Sequence, residues 1–250
     1  MRSVKPVAVV TGGTGGIGAA ICKALAGAGF AVVVGYGKSS QEAGQLAQGL
    51  PGEGHVALPA PVTDSAGLNA MAAAVRERYE RCDVLVNCAG TTRFVPHADL
   101  DGLDDALIDQ ILATNVRGSF ASLRALLPLL RESSHLGGAV VVNISSIAAR
   151  TAMGSNVMYC ASKAAVDNMT QSLARALAPA VRVLSVSPGL VDTDFVKSLD
   201  AKWRDEQAAR TPLGRLAAPQ EVASAVLAAV RDLTFTTGCV LAVDGGRPLS

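Results

Sequence analysis

The stretch Val7–Gly18, "VAVVTGGTGGIG", decides the architecture of this chain. Its first four residues form a short apolar run, which reads as a buried strand. The run passes directly into Thr11–Gly18, "TGGTGGIG", where glycines at 12, 16 and 18 are spaced as GxxxGxG. Such a turn lets the backbone approach a pyrophosphate and aims the amides of a helix N-terminus at it. Glycine serves many strand-to-helix turns. What points to a nucleotide is the place of this one, after the first strand and before the first helix.

Working outward, short β-branched runs alternate with longer Ala/Leu-rich segments. Strands are expected at Val7–Val10, Ala31–Tyr36, His55–Ala60, Asp83–Asn87, Ala139–Ser145, Val181–Ser187 and Cys239–Val243. Helical patterns fall between them at about 16–28, 40–49, 65–80, 103–132, 157–178 and 219–231. Near-continuous apolar strands alternating with helices predict a doubly wound α/β Rossmann fold, about seven parallel strands with helices on both faces. No linker or repeat divides residues 1–250, so one domain is expected. The polar segment Gly189–Arg215 separates the sixth strand from the last helix and holds Trp203, the only tryptophan. It lies beyond a strand's carboxyl end, where open α/β sheets bind ligands. It reads as a mobile helical flap over a pocket, or else as a plain surface insertion.

Half of the residues are hydrophobic and only 4% are aromatic, so the core is built mainly from Ala, Val, Leu and Ile. A formal charge of +1 leaves no electrostatic footprint for nucleic acid or an anionic membrane. The five cysteines form no CxxC pair and are odd in number, which fits reduced thiols. The N-terminal stretch lacks a signal-peptide pattern and no apolar run reaches membrane-spanning length. A soluble cytoplasmic protein is expected. His55, His97 and His135 are far apart with no metal-ligand spacing, so they are expected on the surface and no metal site is expected.

Two further stretches carry chemistry. At the end of the second strand, Tyr36 stands where a carboxylate would hold the ribose hydroxyls of NAD. Lys38, Ser39 and Ser40 follow, a cation and hydroxyls that suit a 2′-phosphate, or otherwise a solvated polar turn. In "MYCASK", Met158–Lys163, Tyr159 and Lys163 are neighbours on one helical face. An adjacent cation favours the ionised form of a phenol, which at an unperturbed pKa of about 10 is a poor acid near neutrality. Alone, such a pair is more often a packed tyrosine beside a surface lysine.

The ordered set changes that balance. After "TGGTGGIG" come "NCAG" (Asn87–Gly90), "TNVRGSF" with Asn115, "VVVNISS" with Ser146, then Tyr159 and Lys163, "SVSPGLVDTD" and "TTGCVLAVDGG". Across essentially the whole chain this set resembles the short-chain dehydrogenase/reductase family. The resemblance implies a hydride transfer between a nicotinamide and a ketone or secondary alcohol. Tyr159 would be the general acid/base and Lys163 would tune it while bonding the nicotinamide ribose. Ser146 would hold the carbonyl oxygen, and Asn115 would anchor a water linking Lys163 to solvent. For the cofactor it implies Gly12, Thr14, Gly15, Gly16, Ile17 and Gly18 around the pyrophosphate, with Tyr36, Lys38 and Ser39 near the adenosine ribose. It also implies Val62, Asn87, Ala89, Gly90, Tyr159, Lys163, Pro188, Gly189, Val191 and Thr193 as cofactor-binding residues. NADP(H) is preferred on this reading, and NAD(H) is the alternative. Ser146, Ile147, Met153, Tyr159, Gly189 and Leu190 would face the substrate. With Val191, the apolar members of this group suggest a partly hydrophobic one.

Three positions depart from the family's usual pattern: Pro61, where an acid or amide commonly meets adenine, Cys88 inside "NCAG", and Leu184 on the sixth strand. Cys160 occupies a variable position of the motif. Asp244 and its glycines suggest a turn at a subunit contact. "TPLGRLAAPQEVASAV" likens the chain to the 3-oxoacyl-carrier-protein reductases, although Gly137 and Pro179–Ala180 stand where those that dock a carrier protein tend to have arginines. A small ketone, sugar, steroid-like molecule or acyl-CoA is the alternative substrate. The family also implies a homo-tetramer, for which the apolar helices near 103–132 and 157–178 and the strand "CVLAV" would supply surfaces. A dinucleotide-sensing protein without turnover is the reading from another class. It would be expected to have lost Tyr159, Lys163 or Ser146, and all three are present.

Overall fold

Seven strands lie in one parallel sheet of order β3-β2-β1-β4-β5-β6-β7, in a computed structural model that describes residues 5–135 and 137–249. The strands are β1 (Val7–Thr11), β2 (Ala31–Tyr36), β3 (Val56–Pro59), β4 (Val84–Asn87), β5 (Ala139–Ile144), β6 (Val181–Pro188) and β7 (Val240–Val243). Chain order reverses between β1 and β4, where Thr11 aligns with Asn87. The glycine turn and "NCAG" therefore leave the sheet side by side at the topological switch point, where such sheets bind ligands.

Alternating side chains of each strand feed two cores. Ala8, Val10, Val32 and Val34 pack with α1 (Gly16–Gly27), α2 (Ser40–Gly49) and α10 (Pro219–Arg231). Val7, Val9, Val33 and Leu85 pack on the other face with α3 (Ser65–Tyr79), α5 (Gly118–Arg131) and α7 (Val157–Leu177). Central strands buried on both faces explain why their sequences are apolar without alternation.

The segment expected as one helix over 103–132 is broken. It comprises α4 (Asp105–Leu112), a π turn (Ala113–Arg117) and α5. The extra residue of a π turn re-aims the face that follows, a feature frequent at functional sites, and here it carries Asn115. Gly118 comes next. A β-carbon there would lie 3.0 Å from Cβ of Val62, so the helix approaches the end of β3 only because this residue is glycine. Within 189–215 the expected helical character is present as α8 (Asp194–Lys197) and α9 (Ala201–Ala209). Its ends are drawn together where Val191 bridges Ala217, with Asp192 N donating to Ala217 O at 2.8 Å. A single helical turn, α6 (Ala148–Thr151), was not anticipated.

Two of the histidines are only partly exposed. His55 is half-buried, and its Nδ1 accepts from Val32 N at 3.1 Å, so the ring proton sits on Nε2 and donates to Pro51 O at 3.0 Å. His135 is half-buried edge-on against Phe30, and burial holds its pKa below the usual imidazole value. His97 is exposed. Among the described residues no His, Cys, Asp or Glu cluster could hold a metal ion.

Two buried charges lock the end of the sheet remote from the glycine turn. Asp83, fully buried, accepts from Val7 N at 2.7 Å, from Arg81 Nε at 2.8 Å and Nη2 at 2.7 Å, and from Ser133 Oγ. Burial pushes its pKa up, but these hydrogen bonds outweigh burial and hold the carboxyl below its ordinary value. On β6, Arg182 is 8% exposed and meets five carbonyls: Gly137, Ala229, Val230, Leu233 and Thr236, at 3.0–3.3 Å. Because the folded pKa of Asp83 is depressed, its stabilising contribution is full above the unfolded value. It is lost as pH falls through the folded one. Asp83→Asn should cost about 2–3 kcal/mol at neutral pH by weakening these charge-assisted bonds. The gap from wild type should narrow below about pH 4, where the unfolded carboxyl protonates. Urea titrations at the two pH values measure it.

Candidate active site

The glycine turn is shaped by contacts that leave no room for side chains. Gly12 has φ +64°, and a β-carbon on it would lie 2.8 Å from Cα of Ala89. One on Gly18 would meet Gly12 O at 2.2 Å. Thr11 ties the two loops together: its Oγ1 accepts from the amides of Cys88 and Ala89, both at 3.2 Å. The N-cap of α1, Gly15, supplies no side-chain cap, so the first-turn amides remain available to an anion. Thr14 is half-buried and Ile17 packs against the core below. Thr193, the residue before α8, lies over Gly16, whose added β-carbon would be 3.0 Å from its Cγ2. These features fit a dinucleotide pyrophosphate: a side-chain-free cradle, an uncapped helix end and a second wall at Thr193.

Tyr36 and Ser39 are half-buried and Lys38 is exposed at the end of β2. Ser39 is the N-cap of α2 but makes no side-chain cap bond there. Val62 is half-buried beside Gly118, and Pro61 covers Gly67. Pro188 ends β6 and is buried with it. Gly189 follows, and a β-carbon there would lie 3.0 Å from Cα of Asp244.

Two residues named for the ligand have side chains turned elsewhere. Asn87 donates through Nδ2 to Asn143 Oδ1 at 2.9 Å and to Ser119 O at 3.2 Å, inside the fold. What this stretch presents at the switch point is the backbone of Cys88, Ala89 and Gly90. Val191 is 5% exposed and belongs to the core beneath α1 and α10, so its side chain is no pocket wall.

The four polar residues of the motif set converge at the end of β5. Lys163, on α7, is 7% exposed, and its Nζ donates to Ile144 O at 2.7 Å. That ammonium lies 5.7 Å from the ring centroid of Tyr159, one turn earlier on the same face. Ser146 is half-exposed just past Ile144, and its Oγ accepts from Ala148 N at 3.2 Å. Asn115 is 1% exposed and fully engaged. Its Oδ1 accepts from Thr91 N at 2.8 Å, and its Nδ2 donates to Thr91 O at 3.1 Å and Ser162 Oγ at 3.0 Å. A β-carbon on Gly90 would fall 3.5 Å from Asn115 Oδ1 and 3.8 Å from Lys163 Nζ, so both groups flank that glycine.

Around this set, Ile147 and Leu190 are half-buried and Met153 is 52% exposed. Burial pushes the Cys88 thiol up to about 12, against the opposing pull of Lys163, and also raises Cys160. Neither is poised as a thiolate. Reading by motif missed Thr11, Ser162 and Asn156. Asn156 carried a usable signal, an N-cap residue three positions before Tyr159 at the start of a helical pattern.

A family model described as Enoyl-(Acyl carrier protein) reductase matches residues 12–247. The ketoacyl reductase 2 assigned to the granaticin polyketide synthase of Streptomyces violaceoruber is 40% identical, over 98% of this chain and 96% of that one. Cis-4-hydroxycyclohexanecarboxylate dehydrogenase of Sinomonas cyclohexanicum is 39% identical, over 96% and 95%. A crystal structure of a protein assigned to the short-chain dehydrogenases/reductases, from Burkholderia xenovorans, superposes with a TM-score of 0.91 at 35% identity over the full length of both chains. With a switch-point cradle, a Tyr–Lys pair beside it and relatives of this kind along its whole length, the chain belongs to the short-chain dehydrogenase/reductase family of NAD(P)-dependent oxidoreductases.

Proposed function

We propose that the protein reduces a ketone to a secondary alcohol with NADPH, Tyr159 donating the proton. The observation that carries this is the placement of Lys163. Its ammonium, anchored on Ile144 O at 2.7 Å, is held 5.7 Å from the ring of Tyr159, while Ser146 follows two residues after that anchor. When bound, the nicotinamide supplies the hydride, and the protein's task is to orient and to move a proton. The Ser146 hydroxyl holds the carbonyl oxygen while Tyr159 Oη gives up its proton to it. Lys163 sets positive charge beside the phenolate so formed, an electrostatic aid greatest in a buried site. Asn115, immobilised by Thr91 and Ser162, keeps this corner rigid, and α8 with α9 covers the pocket.

The substrate we infer is a 3-oxoacyl group on CoA or a carrier protein, or a small ester like it. Support comes from the ketoacyl reductase relative and from a 3-oxoacyl-(acyl-carrier-protein) reductase of Thermotoga maritima, 33% identical. A panel of ethyl acetoacetate, acetoacetyl-CoA and cyclic ketones, followed by loss of NADPH absorbance, tests it. Turnover of none of them would end the proposal.

The 2′-phosphate reading rests on Lys38, the uncommitted Ser39 hydroxyl and the N-terminus of α2, which favours an anion. A hydrogen bond to a charged group contributes about 1.5–3 kcal/mol. At about 1.4 kcal/mol per decade, NADPH should be preferred by roughly tenfold to a hundredfold. Lys38→Asp should reverse the preference by adding repulsion. Equal kcat/KM for NADH and NADPH in wild type, unchanged in the variant, would refute it.

We also infer a homo-tetramer, acting in the cytoplasm. Residues Leu112, Val116, Phe120 and Met169 line a groove of about 720 Å³ across α4, α5 and α7, and β7 is half-exposed at the sheet edge. Among the described residues no helix is long and apolar enough to cross a membrane. Light scattering at micromolar concentration should return four times the 25.4 kDa chain, and a monomer would overturn the inference.

A further inference from the structure

Tyr159 is held by its backbone as well as by its neighbours in the site. Its N–H donates to Asn156 Oδ1 at 2.7 Å, and its carbonyl accepts from Ser162 Oγ at 2.8 Å. Asn156 is wholly buried and is the N-cap of α7. Its other end, Nδ2, donates to Arg93 O at 2.8 Å and Thr92 Oγ1 at 3.2 Å. The orientation of the amide is forced, since a backbone N–H can only donate and a carbonyl can only accept. Arg93 belongs to the strap 91–97 that follows "NCAG". The strap begins at Thr91, whose amide and carbonyl are both bound by Asn115, and Asn115 bonds Ser162 in turn.

These bonds close a ring: Tyr159, Asn156, Arg93, Thr91, Asn115, Ser162 and back to Tyr159. Further bonds reinforce the strap's side of it. Val95 N donates to Ser155 O at 2.8 Å, His97 Nε2 bonds Gly154 O at 3.1 Å, and the Thr92 and Ser155 hydroxyls bond each other. Val95 is buried against Leu107, Ile111 and Met158, so the strap cannot slide without opening a packed cluster. A fully satisfied buried polar network of this kind specifies one geometry, whereas a partly satisfied one is costly.

We propose that Asn156 is a positioning residue of the reaction, fixing Tyr159 and the strap 91–97, which continues from Gly90 beside Lys163, relative to each other so that the proton donor and the strap form one rigid unit. The proposal rests on the reading of Tyr159 as the general acid. It assigns Asn156 two separable tasks. The acceptor Oδ1 sets where α7 starts, and so where the phenol points. The donor Nδ2 sets where the strap stands. Serine at an N-cap keeps the acceptor but is too short to reach Arg93 as well, whereas alanine keeps neither.

The experiment compares Asn156→Ser, Asn156→Ala and Tyr159→Phe with wild type, using ethyl acetoacetate and NADPH. Misplacing a reacting group by about 1 Å can cost about a hundredfold, so Asn156→Ala should lose roughly tenfold to a hundredfold in kcat. Asn156→Ser should recover kcat to within about fivefold, by the near-equivalence of serine and asparagine as caps, yet keep a raised KM because the strap is released. NADPH affinity, read by fluorescence, should be unaltered in both, since the glycine turn lies outside the ring. Hydrogen exchange needs no substrate: the Tyr159 amide should exchange faster in Asn156→Ala and be protected again in Asn156→Ser. Wild-type kcat in Asn156→Ala beside an inactive Tyr159→Phe would overturn the positioning role alone. So would a loss of kcat matched by an equal loss of NADPH binding, which is general loosening. Turnover retained by Tyr159→Phe would instead overturn the reading beneath it.

Discussion

Replacing Tyr159 with phenylalanine is expected to remove nearly all turnover and to leave cofactor binding intact. The substitution deletes one oxygen and keeps the ring that packs beside Lys163, 5.7 Å from its ammonium. No hydrogen bond of the Tyr159 backbone to Asn156 or Ser162 is touched. The loss is therefore that of the proton donor, and general acid catalysis contributes typically about 10²–10⁴-fold. Ser146 would still hold the carbonyl oxygen and the cofactor cradle would still orient the hydride source, so a residual rate above background is expected. The check is kcat in the purified variant together with NADPH affinity. Near-wild-type turnover would remove Tyr159 from the chemistry. Loss of NADPH binding in step with kcat would mean the side chain serves the cofactor site first.

The largest expected effect on stability is at Arg182. Its guanidinium is buried without a carboxylate within ion-pair distance among the described residues, and burial lowers its pKa. What compensates the charge is a ring of carbonyl dipoles. Ala229 and Val230 lie in the last turn of α10, where carbonyls lack helical partners and the helix end is negative. Leu233, Thr236 and Gly137 complete the ring, so one side chain joins the end of α10, the turn leading to β7 and the turn leading to β5. Arg182→Met would roughly fill the volume of the stem and leave these acceptors buried. Hydrogen bonds from a charged group are worth about 1.5–3 kcal/mol each. Offsetting the recovered hydration of the cation, the net loss should be about 3 kcal/mol, or about 6–12 °C in Tm for a chain of this size. An unchanged Tm would show that water already serves these carbonyls.

Most of the fold was legible because both cores depend on apolar strands whose boundaries are marked by turn residues. β2 at Ala31–Tyr36 and α10 at Pro219–Arg231 fall where the apolar run and the helical pattern placed them. The π turn was not legible. "ATNVR" satisfies a helical pattern, and its change of winding arises from the partners Asn115 finds in Thr91 and Ser162. His55 escaped for a similar reason: nothing local reveals that its ring serves Val32 N, one residue before the β2–β3 pairing begins. The motif residues were legible as a set because their order is informative where each alone is not. Asn87 and Val191 show the limit of that order, since a motif position specifies a place in the chain and not the direction of a side chain.

The anchors at Asp83 and Arg182 have a consequence for how such a chain can change. Both grip the amino ends of strands, while the loops around Tyr159 leave the carboxyl ends, a full strand length away. Substitutions separated by more than about 7–10 Å, with no shared partner, add their effects independently. An exposed residue such as Met153 can therefore drift toward a new substrate without eroding the margin of folding free energy that Asp83 and Arg182 supply. The two ends of the sheet are in this sense separately evolvable, and selection on what the pocket accepts leaves the durability of the scaffold untouched.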